Sequence, residues 1–240
     1  MAKINRKNKA KITDIERERY HGPLITDGVS LVYIKLYPWI ALVLSGFMYL
    51  VGSYEDNLGI FKGISLFCGV VNILGIIISF IHYLVNAWKT LTYYLIALTV
   101  LSLVIGLDFI GLLMVISDGS PIGAKEIYQS PLTPFYVILM MFLFIFACGL
   151  YAWYYLPKNQ GKVWAFNQVK EGDRKKTWWN NFAIAFAGAT IIPSLLTGYI
   201  QIVFGVLLGI LLTLTLPAVI VDAIYAAIYI KKLPDSDELV

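Results

Sequence analysis

The chain has 240 residues, 59% of them hydrophobic and only 14% charged, with a formal net charge of +4 and a mean hydropathy of +0.73. A soluble domain carries about a quarter charged residues and about half apolar ones, whereas here uncharged runs fill 36–54, 63–88, 90–107, 127–157 and 177–221. Each run is near or above the roughly 20 apolar residues that a helix needs to cross a bilayer core about 30 Å thick, so a soluble fold, which would have to bury all five in 27.0 kDa, is excluded.

The N-terminal tail, 1–30, opens with a basic block and passes into Thr13-Asp14-Ile15-Glu16, the pattern of a helix capping box. His21-Gly22-Pro23 ends that short polar helix. The tail is expected to be cytoplasmic, an anchor attracted to anionic lipid of the inner leaflet. The first apolar run starts too far in for a signal peptide and lacks an A-x-A-like cleavage site.

Spans are expected at about 31–52, 63–85, 91–117, 132–156, 181–199 and 203–230. Ile73–Ile81 and Val137–Ala147 are apolar on every side, which suits helices in lipid and not the alternating strands of a membrane barrel. The expected fold is therefore an all-α membrane protein, a bundle of six transmembrane helices with both termini in the cytoplasm. Residues 31–230 form the membrane domain and 231–240 a cytoplasmic tail. The stretch from Thr177 to Ile230 has Asp222 as its only charge and is too long for one crossing, so the last two spans are read as a tight hairpin turning near Gly198 to Gln201.

Orientation follows from basic residues, which cytoplasmic loops accumulate. With six spans, sixteen of the nineteen Lys and Arg fall inside; only Lys62 and Lys125 fall outside, and Lys35 sits at the inner end of the first span. Lysine far outnumbers arginine, and Ile, Asn and Tyr are plentiful, a composition that fits a bacterial cytoplasmic membrane. The cytoplasmic loop 158–181 interleaves Trp164, Trp178 and Trp179 with basic residues that include Lys175 and Lys176. Aromatic and basic side chains together favour the headgroup region, so these are read as interface anchors rather than as a nucleic-acid surface.

Within the spans the candidate polar residues are Asn72 and His82 in span two, Asp108 in span three, and Asp222 and Tyr225 in span six. An acid at the helix centre costs about 2.5–3.5 kcal/mol on insertion scales, so each should face the bundle interior or water. At 1.5 Å per residue Asp108 lies about 25 Å from the inner end of its span and Asp222 about 12 Å from the inner end of its own. The two acids are therefore at different levels, with Asn72 near the depth of Asp108 and His82 within reach of Asp222. Thr215, Ala218, Asp222 and Tyr225 share a helical face, and Pro217 is placed to bend that helix and free a carbonyl. Gly205 and Gly209, extended by Thr213, and Ala183 and Ala187 form small-residue faces for close helix packing, expected to join spans five and six.

No phosphate-binding loop or zinc-binding helix motif is present. Two histidines and two scattered cysteines do not suggest a metal site, and no serine nucleophile is paired with a base at a common depth. No catalytic residue, metal or cofactor is therefore expected. The leading expectation is a non-enzymatic protein acting on other membrane proteins, as an accessory subunit of a secretion or export complex or as an immunity-type protein. Its partners would be the bilayer and a membrane protein or a second copy of itself, with no nucleic acid. The alternative is a small transporter or permease component that moves a proton, cation or small solute.

Overall fold

The computed structural model describes residues 29–52, 59–117, 124–154 and 199–232. Among them every regular element is helical: α1 Tyr33–Val51, α2 Ile60–Phe80, α3 His82–Ala87, α4 Lys89–Ile116, α5 Ala124–Gln129, α6 Leu132–Tyr154, α7 Ile200–Thr215 and α8 Pro217–Lys232. Five pieces are long and apolar enough to cross a bilayer, namely α1, α2, α4, α6 and the run Ile200–Ile228 through α7 and α8. They coincide with five of the six expected spans. The expected fifth span, with Ala183 and Ala187, lies outside the described residues, as do the loop anchors Trp164, Lys175, Lys176, Trp178 and Trp179 and both tails beyond 29 and 232.

α4 is the axis of the bundle. Of its most apolar stretch 61% is buried, against 22–28% for the other four crossings. A helix apolar all round is stable either inside a protein or against lipid. Here α4 takes the first place and its neighbours the second, with outer faces such as Phe135, Ile138 and Phe142 of α6 exposed.

Packing clusters fix how the helices run. At the Lys89 end of α4, Ile34, Val85, Tyr93, Ile96, Ala226 and Ala227 form one core. At the Ile116 end, Met48, Phe109, Leu112, Ile127 and Tyr136 form another. A third joins Ala147 and Tyr151 of α6 to Ala218 and Val221 of α8. Both Tyr33 at the start of α1 and Lys232 at the end of α8 thus lie at the Lys89 end. So does Tyr154 at the end of α6, whereas Ile200 at the start of α7 lies at the opposite end.

Two local features depart from the expected spans. Span two was expected to run to about residue 85, but the helix closes at Phe80. Ile81 leaves the helical region at φ −101°, ψ 84°, and α3 begins afresh as a single amphipathic turn and a half. Val85 is buried in the core while Tyr83 and Trp88 are exposed. The Thr92 hydroxyl bonds the Trp88 carbonyl at 3.1 Å, which secures the turn into α4. At the Ile116 end, α5 folds back over the bundle. Ile127 is fully buried, the Thr133 hydroxyl donates to its carbonyl at 2.6 Å, and the Tyr128 hydroxyl donates to the Gly52 carbonyl at 3.2 Å while accepting from the Phe61 N–H at 3.3 Å.

Candidate functional site

Polar side chains inside the crossings fall into separate groups. The first is centred on Asn72, which is fully buried on α2. Its Nδ2 donates to Ser102 Oγ on α4 at 2.8 Å and to Ser45 Oγ on α1 at 3.2 Å. The Ser45 hydroxyl in turn donates to the Ala41 carbonyl at 2.7 Å. One amide therefore ties three helices together, and it does so away from Asp108, which lies six residues, about 9 Å of rise, beyond Ser102. Asn72 therefore lies at the level of Ser102, not near the depth of Asp108 as expected.

The second group is built where α4, α6 and α7 meet, and glycine is the reason they meet so closely. A Cβ added to Gly205 would fall 2.7 Å from the Gly111 carbonyl oxygen and 2.8 Å from Met114 Cβ, and one added to Gly111 would fall 2.9 Å from the Gly205 carbonyl oxygen. Among the described residues Gly205 thus packs on α4 and Gly209 on α6; the expected contact with the preceding span lies outside them. A GxxxG pair specifies a smooth face that admits another backbone, and Gly111 supplies the matching one.

Into the junction comes Tyr136 of α6. Its hydroxyl occupies the space that side chains on Gly111 and Gly209 would fill, and the residue is only 5% exposed. One turn further along, the Thr213 hydroxyl of α7 lies 2.9 Å from each carboxylate oxygen of Asp108, with Met140 Sδ 3.7 Å away. Thr213 has one proton to donate, so most of the acceptor capacity of the carboxylate remains. The Tyr136 hydroxyl has no hydrogen-bond partner among the described residues.

Asp108 and Tyr136 lie on the wall of a cavity of about 340 Å³ whose remaining lining is apolar, including Met48 of α1, Phe61 of α2 and Phe144 of α6. This falls at the lower end of the range of small-molecule pockets, about 300–1,000 Å³. Ile64 of α2 and Met141 and Ile145 of α6 also line it and are exposed on the outside of the bundle. The cavity therefore opens sideways between α2 and α6, at a depth where the neighbouring medium is lipid.

Asp222 on α8 is fully buried. Nine residues, about 13 Å of rise, separate it from Thr213, so the two acids stand at different levels of the bundle. Tyr225 is half-buried against Ala147 and Tyr151. Thr215, expected on the same face, is exposed and bonds back to the Leu211 carbonyl at 2.8 Å. The expected meeting of the His82 and Asp222 side chains lies outside what is described. Pro217 breaks the last crossing into α7 and α8 as its missing N–H requires, and the Tyr151 hydroxyl donates to the neighbouring Leu214 carbonyl at 2.8 Å.

Sequence reasoning missed Tyr136, Gly111, Ser45 and Ser102 as site members, and took Thr213 only as part of a packing face. The signal available was Gly111 three residues after Asp108, which places a bare backbone patch beside the acid. Among the described residues no three His, Cys, Asp or Glu are grouped to hold a metal ion. Comparison with protein-family models, with characterised proteins and with solved structures finds no match.

Proposed function

We propose that the chain is a six-crossing membrane protein, with both termini cytoplasmic, that acts without catalysis by binding another membrane protein, as an accessory subunit of an export or secretion complex or as an immunity-type protein. The observation that carries this is the use made of polar side chains within the crossings. Asn72, Ser45 and Ser102 join α1, α2 and α4, Thr213 joins α7 to Asp108 of α4, and Tyr151 joins α6 to α7. Such bonds hold helices together at about 0.6 kcal/mol each, and their separation into distinct groups favours a scaffold over a continuous polar path. Outward apolar faces on α1, α2 and α6 then offer surface to lipid and to a partner's helices alike.

The test is purification in nanodiscs from the native host, with mass spectrometry of what is retained. A stoichiometric membrane-protein partner is the expected result. A lone chain that carries out substrate-specific flux in liposomes would overturn the reading.

A second reading, a small permease component, is favoured by one feature, the Asp108 carboxylate on a cavity wall. Under it, Asp108→Asn abolishes flux while the protein still inserts and runs as a single species in detergent. Loss of insertion would instead make the acid a packing residue.

A further inference from the structure

The geometry points to the cavity between α2, α4 and α6 as a binding site for a lipophilic ammonium, with Asp108 as its counter-ion. Three observations converge. The Asp108 carboxylate accepts from Thr213 alone, and no cationic side chain accompanies it among the described residues. The rest of the wall is apolar, which demands a ligand that is hydrocarbon over most of its surface. The opening lies between Ile64 and Met141, side chains that are exposed on the lipid-facing surface, so a ligand arrives from the bilayer and must partition into it.

Charge selects the head of that ligand. A carboxylate in a low-dielectric setting gains more from a cation that also donates hydrogen bonds than from a neutral donor. Size selects its body: about 340 Å³ admits a compact cage or ring system and not a whole phospholipid. Gly111 and Gly209 enclose the Tyr136 hydroxyl, so Tyr136 serves as wall and the Asp108 carboxylate is the polar group that a ligand meets. The site does not depend on whether the chain works through a protein partner, and its failure would leave that reading standing.

The experiment uses the full chain in nanodiscs and two probes of the same shape, 1-aminoadamantane and its neutral counterpart 1-adamantanol, titrated by calorimetry against empty nanodiscs. Saturable binding of one amine per chain is expected, at least tenfold tighter than the alcohol. Asp108→Asn, checked as a single species on size exclusion, should erase that preference. The comparison of amine with alcohol on the unaltered chain needs no variant, so it stands even if Asp108→Asn fails to fold. Equal binding of the two probes, no saturable binding of the amine, or full amine affinity in a folded Asp108→Asn protein would each overturn the site.

Discussion

Asn72 illustrates how one side chain can hold three helices. In lipid there is no hydrophobic drive between apolar helices, so association depends on packing and interhelical hydrogen bonds. Asn72→Ala removes the bonds to Ser45 and Ser102 and leaves a small void, so it should lower the free energy of unfolding by about 1–2 kcal/mol, read from an SDS titration of the refolded protein. A loss within error would mean that the two serines find other partners. Two glycines give a sharper contrast. At Gly149 of α6 nothing lies within 4 Å of an added Cβ, so Gly149→Ala should be neutral or stabilise by up to about 1 kcal/mol through helix propensity. At Gly205 the added methyl meets the Gly111 carbonyl at 2.7 Å, backbone that cannot rotate away, and Gly205→Ala should cost about 1–3 kcal/mol. The same titration compares them directly. Both are glycines in apolar helices, and the facing backbone sets the cost of a methyl at each. Spacing marked Gly205 and Gly209 as a close-packing face but could not name α4 and α6 as the helices they meet, because those contacts join residues far apart in the chain.

At the level of elements, crossings were legible because their signal is local. Length and lack of charge placed α1, α4, α6 and the last run close to their observed ends, and α2 except for its C-terminal end. The break at Ile81 was not legible. Neither proline nor glycine marks it, and the helix stops where Val85 turns into the core and Tyr83 turns out. Nor was α5 legible, since six residues carry too little periodicity; Ile127 and Tyr128, apolar residues within a polar loop, were its only trace. Pro217 was legible, and so was its consequence. A proline within a crossing is tolerated when neighbouring groups satisfy the carbonyls it disturbs, and Tyr151 from α6 does so at Leu214. Tyr151→Phe should therefore cost about 1 kcal/mol and speed amide hydrogen exchange around Leu216 and Ala218, measured by mass spectrometry in nanodiscs. Unchanged exchange with unchanged stability would make the bond incidental to the break.

For the whole molecule the informative fact is where elements begin and end. α1 starts at the Lys89 end of α4 and α8 finishes there, since Ile34 and Ala226 share a core with Tyr93. α6 also finishes at that end, with Tyr151 against Ala218, yet α7 starts at the other, where Gly205 meets Gly111. With α1 starting and α8 finishing at the same end, we propose an even number of crossings between them. Charge points the same way, because Lys35, Lys89 and Lys231 belong to helix ends at the Lys89 end and Lys62 to the opposite one. Single cysteines introduced into a chain with Cys68 and Cys148 replaced by alanine would test the arrangement in intact cells. Gln129→Cys and Tyr199→Cys, at the Ile116 end, should react with a membrane-impermeant maleimide added outside. Ala87→Cys and Lys231→Cys should react only after lysis, because positively charged ends stay in the cytoplasm. If Lys231→Cys reacts in intact cells together with Gln129→Cys, the last crossing is reversed relative to α4 and both the even count and the cytoplasmic C-terminus fall. If all four sites keep their pairing but swap sides, the bundle stands and only its orientation is inverted.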